Sequence, residues 1–137
     1  MGTPGVEPAA CDPPHRRTAL THPGARGIVL SPSASSALRS LEESASKDSR
    51  SVAHRVHELR PVLLADSLHG EVVRKRSIPN PLRDRYGISN LFVEDLPSFW
   101  RLLYTVVHEG SERHVVVLEI VDHRAYDRWF PGGGRGR

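Results

Sequence analysis

Thiol chemistry has almost no place in this chain of 137 residues, because it contains a single cysteine, Cys11. One thiol cannot close an intrachain disulfide, and it cannot build a cysteine cluster around a metal. No hydrophobic run approaches the roughly 20 residues that a membrane-spanning helix needs. The first residues also lack the hydrophobic stretch of a secretory signal. We therefore expect a cytoplasmic protein without a membrane partner.

Most of the chain has no excess of positive or negative charge. The sequence has 19 Lys and Arg against 16 Asp and Glu, for a net charge of +3. This surplus lies at the two ends, and residues 27–130 are balanced at 14 basic and 14 acidic residues. Lysine is scarce, with only Lys47 and Lys75. Any attraction for nucleic acid must therefore come from a local patch rather than from the field of the whole molecule.

Composition divides the chain into a body and two tails. Residues 1–26 are rich in Pro, Gly and Ala, show little periodicity and predict a disordered N-terminal tail. Residues 131–137, PGGGRGR, predict a flexible Gly/Arg tail. The body, 27–130, is long enough for one compact domain.

The first half of the body predicts a strand followed by a helical hairpin. Residues 27–30 are apolar, and Ser31 and Pro32 then suit the N-cap and the first turn of a helix. Apolar residues recur at helical spacing in two segments, namely at Ala34, Ala37, Leu38 and Leu41 and at Val52, Val56, Leu59, Leu63 and Leu64. Pro61 predicts a kink or a split in the second helix, and Gly70 suits the end of the hairpin.

The second half predicts three strands and a short closing helix. The strands fall at 91–96, 99–108 and 114–121, and the sequence EGSER between the last two predicts a hairpin loop. Residues 123–130 can form one or two helical turns. The predicted fold class is α+β, with the helical hairpin packed on one face of a small, mostly antiparallel sheet and a short C-terminal helix.

Side-chain alternation makes the strand at 99–108 a central one. Arg101, Leu103 and Thr105 would lie on one face of the sheet. Trp100 and Tyr104 would lie on the other, so both faces carry large apolar groups. Arg101 should then project from a sheet face near the end of the strand, and a charge inside such an apolar run is costly without a partner or a task.

A set of motifs in this half resembles the RelE/ParE superfamily, the toxins of type II toxin–antitoxin systems. The strand motifs are WRLLY at 100–104 and VVVLEI at 115–120, and DHRAY follows at 122–126. Further matches are Ile78-Pro79, Tyr86-Gly87 and Asn90-Leu91. The resemblance covers residues 27–130 and is close from about residue 70 onward. It implies a RelE-like fold and a cognate antitoxin as partner.

The resemblance also implies two activities that one fold can carry. RelE-type members are ribonucleases that cleave messenger RNA, often on the ribosome, whereas ParE-type members inhibit DNA gyrase. The leading hypothesis is a metal-independent endoribonuclease without a cofactor. A ParE-like gyrase inhibitor and a non-catalytic interaction protein of the same fold are the alternatives.

Cleavage of RNA by transesterification needs two proton transfers and stabilisation of a pentacoordinate phosphate. Arg101 matches the strand arginine of the RelE pattern and suits the phosphate, because its planar fork binds phosphate oxygens in pairs. It can instead pair with Glu94, Asp95 or Glu119, or lie over the sheet. His123 and Tyr126 are the candidates for proton transfer, and Tyr126 can also stack on a base. The alternative is an amphipathic closing segment packed on the sheet.

Basic residues near these motifs are candidates for RNA binding. The candidates are Arg74, Lys75, Arg76, Arg83 and Arg124. The run at 74–76 is more typical of a solvated, charged connector, and Arg124 can pair with a neighbouring aspartate. His54 and His57 share a helical face but lack a third ligand with suitable spacing, so we expect no metal site.

Overall fold

The computed structural model describes residues 24–131. The rest of the two predicted tails, 1–23 and 132–137, lies outside these residues. Ala25 and Arg26, which composition assigned to the first tail, are bonded to the body. Their N–H groups donate to the carbonyl oxygens of Leu64 at 2.8 Å and of Arg113 at 2.7 Å. The packed chain therefore begins before Gly27.

The described residues form an α+β fold of four α-helices and five β-strands. The helices are α1 (Pro32–Glu43), α2 (Lys47–Ala65), α3 (Asn80–Tyr86) and α4 (His123–Trp129). The strands are β1 (Gly27–Leu30), β2 (Glu71–Val72), β3 (Phe92–Asp95), β4 (Arg101–Glu109) and β5 (Glu112–Val121). Two 3₁₀ turns span Lys75–Ser77 and Pro97–Phe99.

One mixed sheet runs in the order β1-β5-β4-β3-β2. The β1–β5 pair is parallel, and the other three pairs are antiparallel. β4 is the middle strand, as its two apolar faces predicted. The β4–β5 hairpin closes more tightly than expected, because Glu109 already pairs with Glu112 and only Gly110 and Ser111 remain in the turn.

The first core lies between the helical hairpin and one face of the sheet. Leu38 of α1 and Leu59 of α2 are buried in it together with Tyr104 of β4. The predicted N-cap is confirmed, since Ser31 Oγ accepts from the Ala34 N–H at 3.0 Å. The same hydroxyl donates to the Leu118 carbonyl at 2.6 Å, which attaches the start of α1 to β5.

The α2 helix runs through Pro61 without a break, so the predicted split is wrong. Pro61 lies in the final turns of a 19-residue helix. Its missing N–H removes one intrahelical hydrogen bond, which the long packed helix tolerates.

The second core covers the opposite face of the sheet and contains elements that the sequence did not predict. Leu82 of α3 and Phe130 after α4 pack there on Leu103 and Leu118. β2 has two residues and α3 has seven, so neither is long enough for a periodic signal. α3 ends at Gly87, whose φ of 64° lies in the left-handed region that glycine favours.

Gly70 does not end the helical hairpin, because α2 stops at Ala65 with Asp66 as its C-cap. Gly70 is instead a point of close approach. A Cβ there would lie 2.9 Å from the Val93 carbonyl oxygen and 3.0 Å from the Tyr104 hydroxyl. The Gly70 N–H also donates to that hydroxyl at 2.9 Å.

A buried carboxylate fastens α3 to the sheet. Glu119 accepts from Ser33 at 2.7 Å, from Arg85 at 3.1 Å and from the Tyr86 hydroxyl at 2.7 Å. Burial, and then the bond to Glu119, raise the pKa of Tyr86. Glu119 follows a register shift opposite Leu103 and Tyr104, which leaves Leu118 as an extra residue in β5. Through Glu119, the bulged segment of β5 is therefore hydrogen-bonded to both α1 and α3.

Candidate functional site

The sequence-predicted catalytic residues meet at one end of the sheet. Here β3 ends, β4 begins and β5 leads into α4. Asp95 pairs in register with Arg101, and Arg101 pairs on its other side with Val121. Asp122 then caps α4 by accepting from the Ala125 N–H at 3.0 Å. The antiparallel register therefore brings Arg101 to the base of the short helix that carries the other two candidates.

Arg101 lies between a carboxylate and an aromatic ring. Its Nε is 3.0 Å from Asp95 Oδ1, and its Nη1 donates to the Trp100 carbonyl at 3.0 Å. Its Cζ lies 5.4 Å from the centre of the Tyr126 ring, within cation–π range. The Arg101 side chain is 18% exposed, whereas that of Asp95 is 65% exposed. Of the three carboxylates considered from the sequence, Asp95 is the partner.

The two proton-transfer candidates occupy different environments on α4. Tyr126 is buried and stacks on Phe130 with ring centres 4.7 Å apart. His123 is exposed, and its ring lies 6.2 Å from that of Phe99 in an edge-on arrangement. The fold therefore leaves His123 open to solvent and places the Tyr126 ring against the Arg101 guanidinium. Both catalytic assignments remain predictions.

The segment before Arg101 is a strained turn rather than the start of the strand. Ser98 and Phe99 have φ angles of 59° and 64°, an unusual conformation for two consecutive residues other than glycine. The turn is closed by the Leu96 N–H, which donates to the Trp100 carbonyl at 2.9 Å. Phe99 is 70% exposed. The sequence predicts Phe99 as the first residue of the strand at 99–108, but β4 begins at Arg101, and nothing in the sequence signals this turn.

The predicted RNA-binding residues divide between two places. Lys75, Arg76 and Arg83 line a shallow depression of about 480 Å³, and an Arg83 Nη donates to the Lys75 carbonyl. The Val73 N–H bonds to Leu91, so this segment lies beside the start of β3.

Arg101 of β4 pairs with Asp95 at the far end of β3, which is four residues and roughly 13 Å from Leu91 along that strand. Arg74 is exposed next to Lys75. Only Arg124, exposed on α4 directly after His123, shares the sheet end with Arg101.

A second basic depression was not predicted from the sequence. It measures about 430 Å³ and lies where α2 meets the turn at Pro97. Its basic and polar lining consists of Lys47, Arg50, Ser51, His54, Arg55 and Glu58. These residues are spread along a helix whose sequence also contains acidic residues, so the sequence shows no basic run. Only the three-dimensional structure shows that they form a basic depression.

Another buried carboxylate lies on the helical-hairpin face. Glu94 Oε2 is 2.6 Å from Nδ1 of the half-exposed His69. The buried Tyr104 hydroxyl donates to the Ser67 carbonyl at 2.9 Å. Burial is the main reason that the pKa of Tyr104 is raised, and Glu94 adds to the shift. These contacts tie the segment after α2 to β3 and β4.

The described residues hold no helix that is long and apolar enough to cross a membrane. Between residues 24 and 131, no group of three or more His, Cys, Asp or Glu is arranged to hold a metal ion. Neither a scan against protein-family models nor searches of curated proteins and of solved structures found a match to this chain. Any assignment of function therefore rests on the residues of the chain and their geometry.

Proposed function

We propose that this chain is a toxin of the RelE/ParE kind, a metal-independent endoribonuclease that cleaves messenger RNA in the cytoplasm and is controlled by a cognate antitoxin. The observation that carries the proposal is the position of Arg101 between the Asp95 carboxylate and the Tyr126 ring, beside the helix that begins at His123. The motifs WRLLY and DHRAY support the same function, because they supply these residues.

Arg101 is assigned to the phosphate. Its guanidinium is held by the Tyr126 ring and the Trp100 carbonyl, so its direction is set before a substrate arrives. The Asp95 carboxylate that pairs with it is largely exposed. Because water can hydrate the exposed Asp95 carboxylate when it leaves, a phosphate can take its place on the Arg101 fork. Arg101 would then stabilise the charge that grows on the pentacoordinate phosphorus.

His123 is assigned to one of the two proton transfers. An imidazole can take up and return a proton near neutral pH, and that of His123 is open to solvent. In the reaction the 2′-hydroxyl loses its proton and its oxygen bonds to phosphorus. The bond from phosphorus to the 5′-oxygen breaks, and that oxygen is protonated. The products are a 2′,3′-cyclic phosphate and a 5′-hydroxyl, and a water molecule can serve the second transfer.

One observation favours a second candidate, a non-catalytic protein of the same fold that acts by binding, as a ParE-like gyrase inhibitor would. Arg101 already has a carboxylate partner, and Tyr126 is buried. A binding protein needs such contacts only for stability. The two candidates differ in whether RNA is cut.

The proposal is tested with purified protein and a 5′-labelled messenger RNA, in the presence and absence of ribosomes and of EDTA. We expect cleavage that EDTA does not abolish, with products ending in a 2′,3′-cyclic phosphate. Arg101→Ala should lower the single-turnover rate by at least 100-fold. His123→Ala should lower it by a similar factor.

Arg26→Ala is the matched control, because Arg26 is a 70% exposed arginine that pairs with Glu112 at the hairpin end of β4 and β5, opposite the end that holds Arg101. Its rate should equal that of the wild type, and circular dichroism should establish that every variant is folded. Intact RNA under all conditions, together with growth arrest in cells, would move the assignment to the non-catalytic candidate.

A further inference from the structure

We propose that Phe99 is a stacking platform for a nucleobase of single-stranded RNA, and that the adjoining RNA backbone follows the basic depression on α2. This inference rests on the proposed RNA substrate and adds how that RNA is held. Its basis is a 70% exposed aromatic ring fixed between the Arg101 contacts and a cluster of cations.

The backbone holds Phe99 in solvent. Two consecutive residues, Ser98 and Phe99, adopt positive φ angles that side chains other than glycine rarely take. Hydrogen bonds on both sides of the turn maintain this shape, from Leu96 N–H to the Trp100 carbonyl and from Trp100 N–H to the Pro97 carbonyl. An unfavourable conformation that exposes a large apolar ring is the kind of feature that persists for a functional reason.

The ring lies beside the proposed chemistry. The His123 imidazole meets it edge-on, with centres 6.2 Å apart and planes 70° apart, and most of the Phe99 surface stays open. Nucleobases stack on such rings whatever their sequence, because every base has a π face. A base on Phe99 would bring its nucleotide next to His123 and to Arg101, two residues further along the chain.

The charge near Phe99 suits a phosphate backbone. Pro97, two residues earlier, forms the wall of the depression that holds Lys47, Arg50 and Arg55. The Arg50 guanidinium donates to two carbonyl oxygens of the α1–α2 connection, so these bonds leave its charge uncancelled. Arg55 and His54 share the single carboxylate of Glu58, at 3.4 Å and 3.3 Å. The depression is therefore positive, and cations beside an aromatic ring are typical of single-strand binding.

The test measures binding separately from cleavage, with a fluorescent 12-nucleotide RNA made uncleavable by 2′-O-methyl groups. Phe99→Ala should weaken the affinity by roughly 5- to 150-fold, the usual effect of losing one stacked base. Phe99→Trp keeps the platform and should stay within about threefold of the wild type. Lys47→Ala should weaken binding and lower the slope of log affinity against log salt by about one. Val107→Ala, an exposed apolar control at the other end of β4, should bind as the wild type does.

Phe99→Gly separates binding from folding. Glycine accepts the φ of 64°, so this variant should melt at a higher temperature than the wild type and still bind as weakly as Phe99→Ala. A 2-aminopurine placed in the RNA should lose fluorescence on binding to the wild type and keep it with either variant.

The outcomes distinguish this inference from the nuclease proposal. If the wild type binds the uncleavable RNA through Phe99 but never cuts the unmodified RNA, the platform stands and the nuclease assignment fails. If the wild type cuts RNA and Phe99→Ala binds and cuts equally well, the platform is overturned and the nuclease assignment stands. A wild type that binds an acidic peptide through Phe99 and no RNA would also overturn the platform.

Discussion

Replacement of Gly70 by alanine should destabilise the protein through steric contact alone. A Cβ at this position would lie 2.9 Å from the Val93 carbonyl oxygen and 3.0 Å from both Cε1 and the hydroxyl of Tyr104. Val93 is buried in β3, and Tyr104 is fully buried and stacked on Phe92 with ring centres 5.2 Å apart. Neither neighbour is the end of a flexible side chain, so the backbone or the ring must shift.

The expected magnitude follows from these contacts. Forcing an extra methyl group into a packed site costs about 1–3 kcal/mol. A shift of the ring also weakens the 2.9 Å hydrogen bond from the Gly70 N–H to the Tyr104 hydroxyl, which is worth about 1 kcal/mol. The sum is about 2–4 kcal/mol, and for a domain of this size that lowers Tm by roughly 7–18 °C.

Two other glycines supply matched controls, measured by urea unfolding and thermal melts under circular dichroism. Gly27→Ala has no atom within 4 Å of its new Cβ, and should be neutral or gain about 0.5 kcal/mol. Gly87→Ala also has open space, but its φ is +64°, and left-handed strain should cost about 1 kcal/mol. The steric argument is refuted if Gly70→Ala proves as stable as Gly27→Ala.

Three further predictions concern the site and the tyrosines. Tyr126→Phe keeps the ring beside Arg101, so single-turnover RNA cleavage should stay within about threefold of the wild type; a loss of 100-fold or more would assign proton transfer to the hydroxyl. Asp95→Asn should tighten binding of uncleavable RNA by up to about fivefold in anisotropy titrations, because it frees the Arg101 fork; weaker binding would make Asp95 a positioning residue.

Tyr104→Phe loses two buried hydrogen bonds to the backbone, at about 1–3 kcal/mol. Since burial raises the pKa of Tyr104 above the unfolded value of about 10, the unfolded chain releases a proton that the native state keeps, and stability is lost as pH rises above 10. The free energy of unfolding, measured by urea titration from pH 8 to 11, should fall less with rising pH in Tyr104→Phe than in the wild type.

Local chemistry made several elements readable from the sequence. The start of α1 was predicted because the Ser31 hydroxyl caps a backbone N–H three residues away, a bond that needs no distant partner. The central position of β4 was predicted because alternation marks both of its faces as apolar. Arg101 could be placed on a sheet face by the same alternation.

Short elements could not be predicted from the sequence, because they depend on distant contacts rather than on local chemistry. β2 and α3 are too brief to repeat a period, and they are held by distant groups such as Leu91 and Glu119. Gly70 carries a helix-ending composition signal but is required by its contact with Tyr104, 34 residues away.

The sequence and the tertiary structure each determined part of the candidate site. The sequence alone supplied an arginine, a histidine and a tyrosine in motifs that resemble a family of RNA-cleaving toxins. Tertiary structure decided that Asp95 pairs with Arg101, that Tyr126 is buried beneath its guanidinium, and that Phe99 stands exposed next to the cations of α2. These contacts depend on the register of the strands and on the packing of α4 against the second core. Neither can be predicted from the spacing of residues along the sequence.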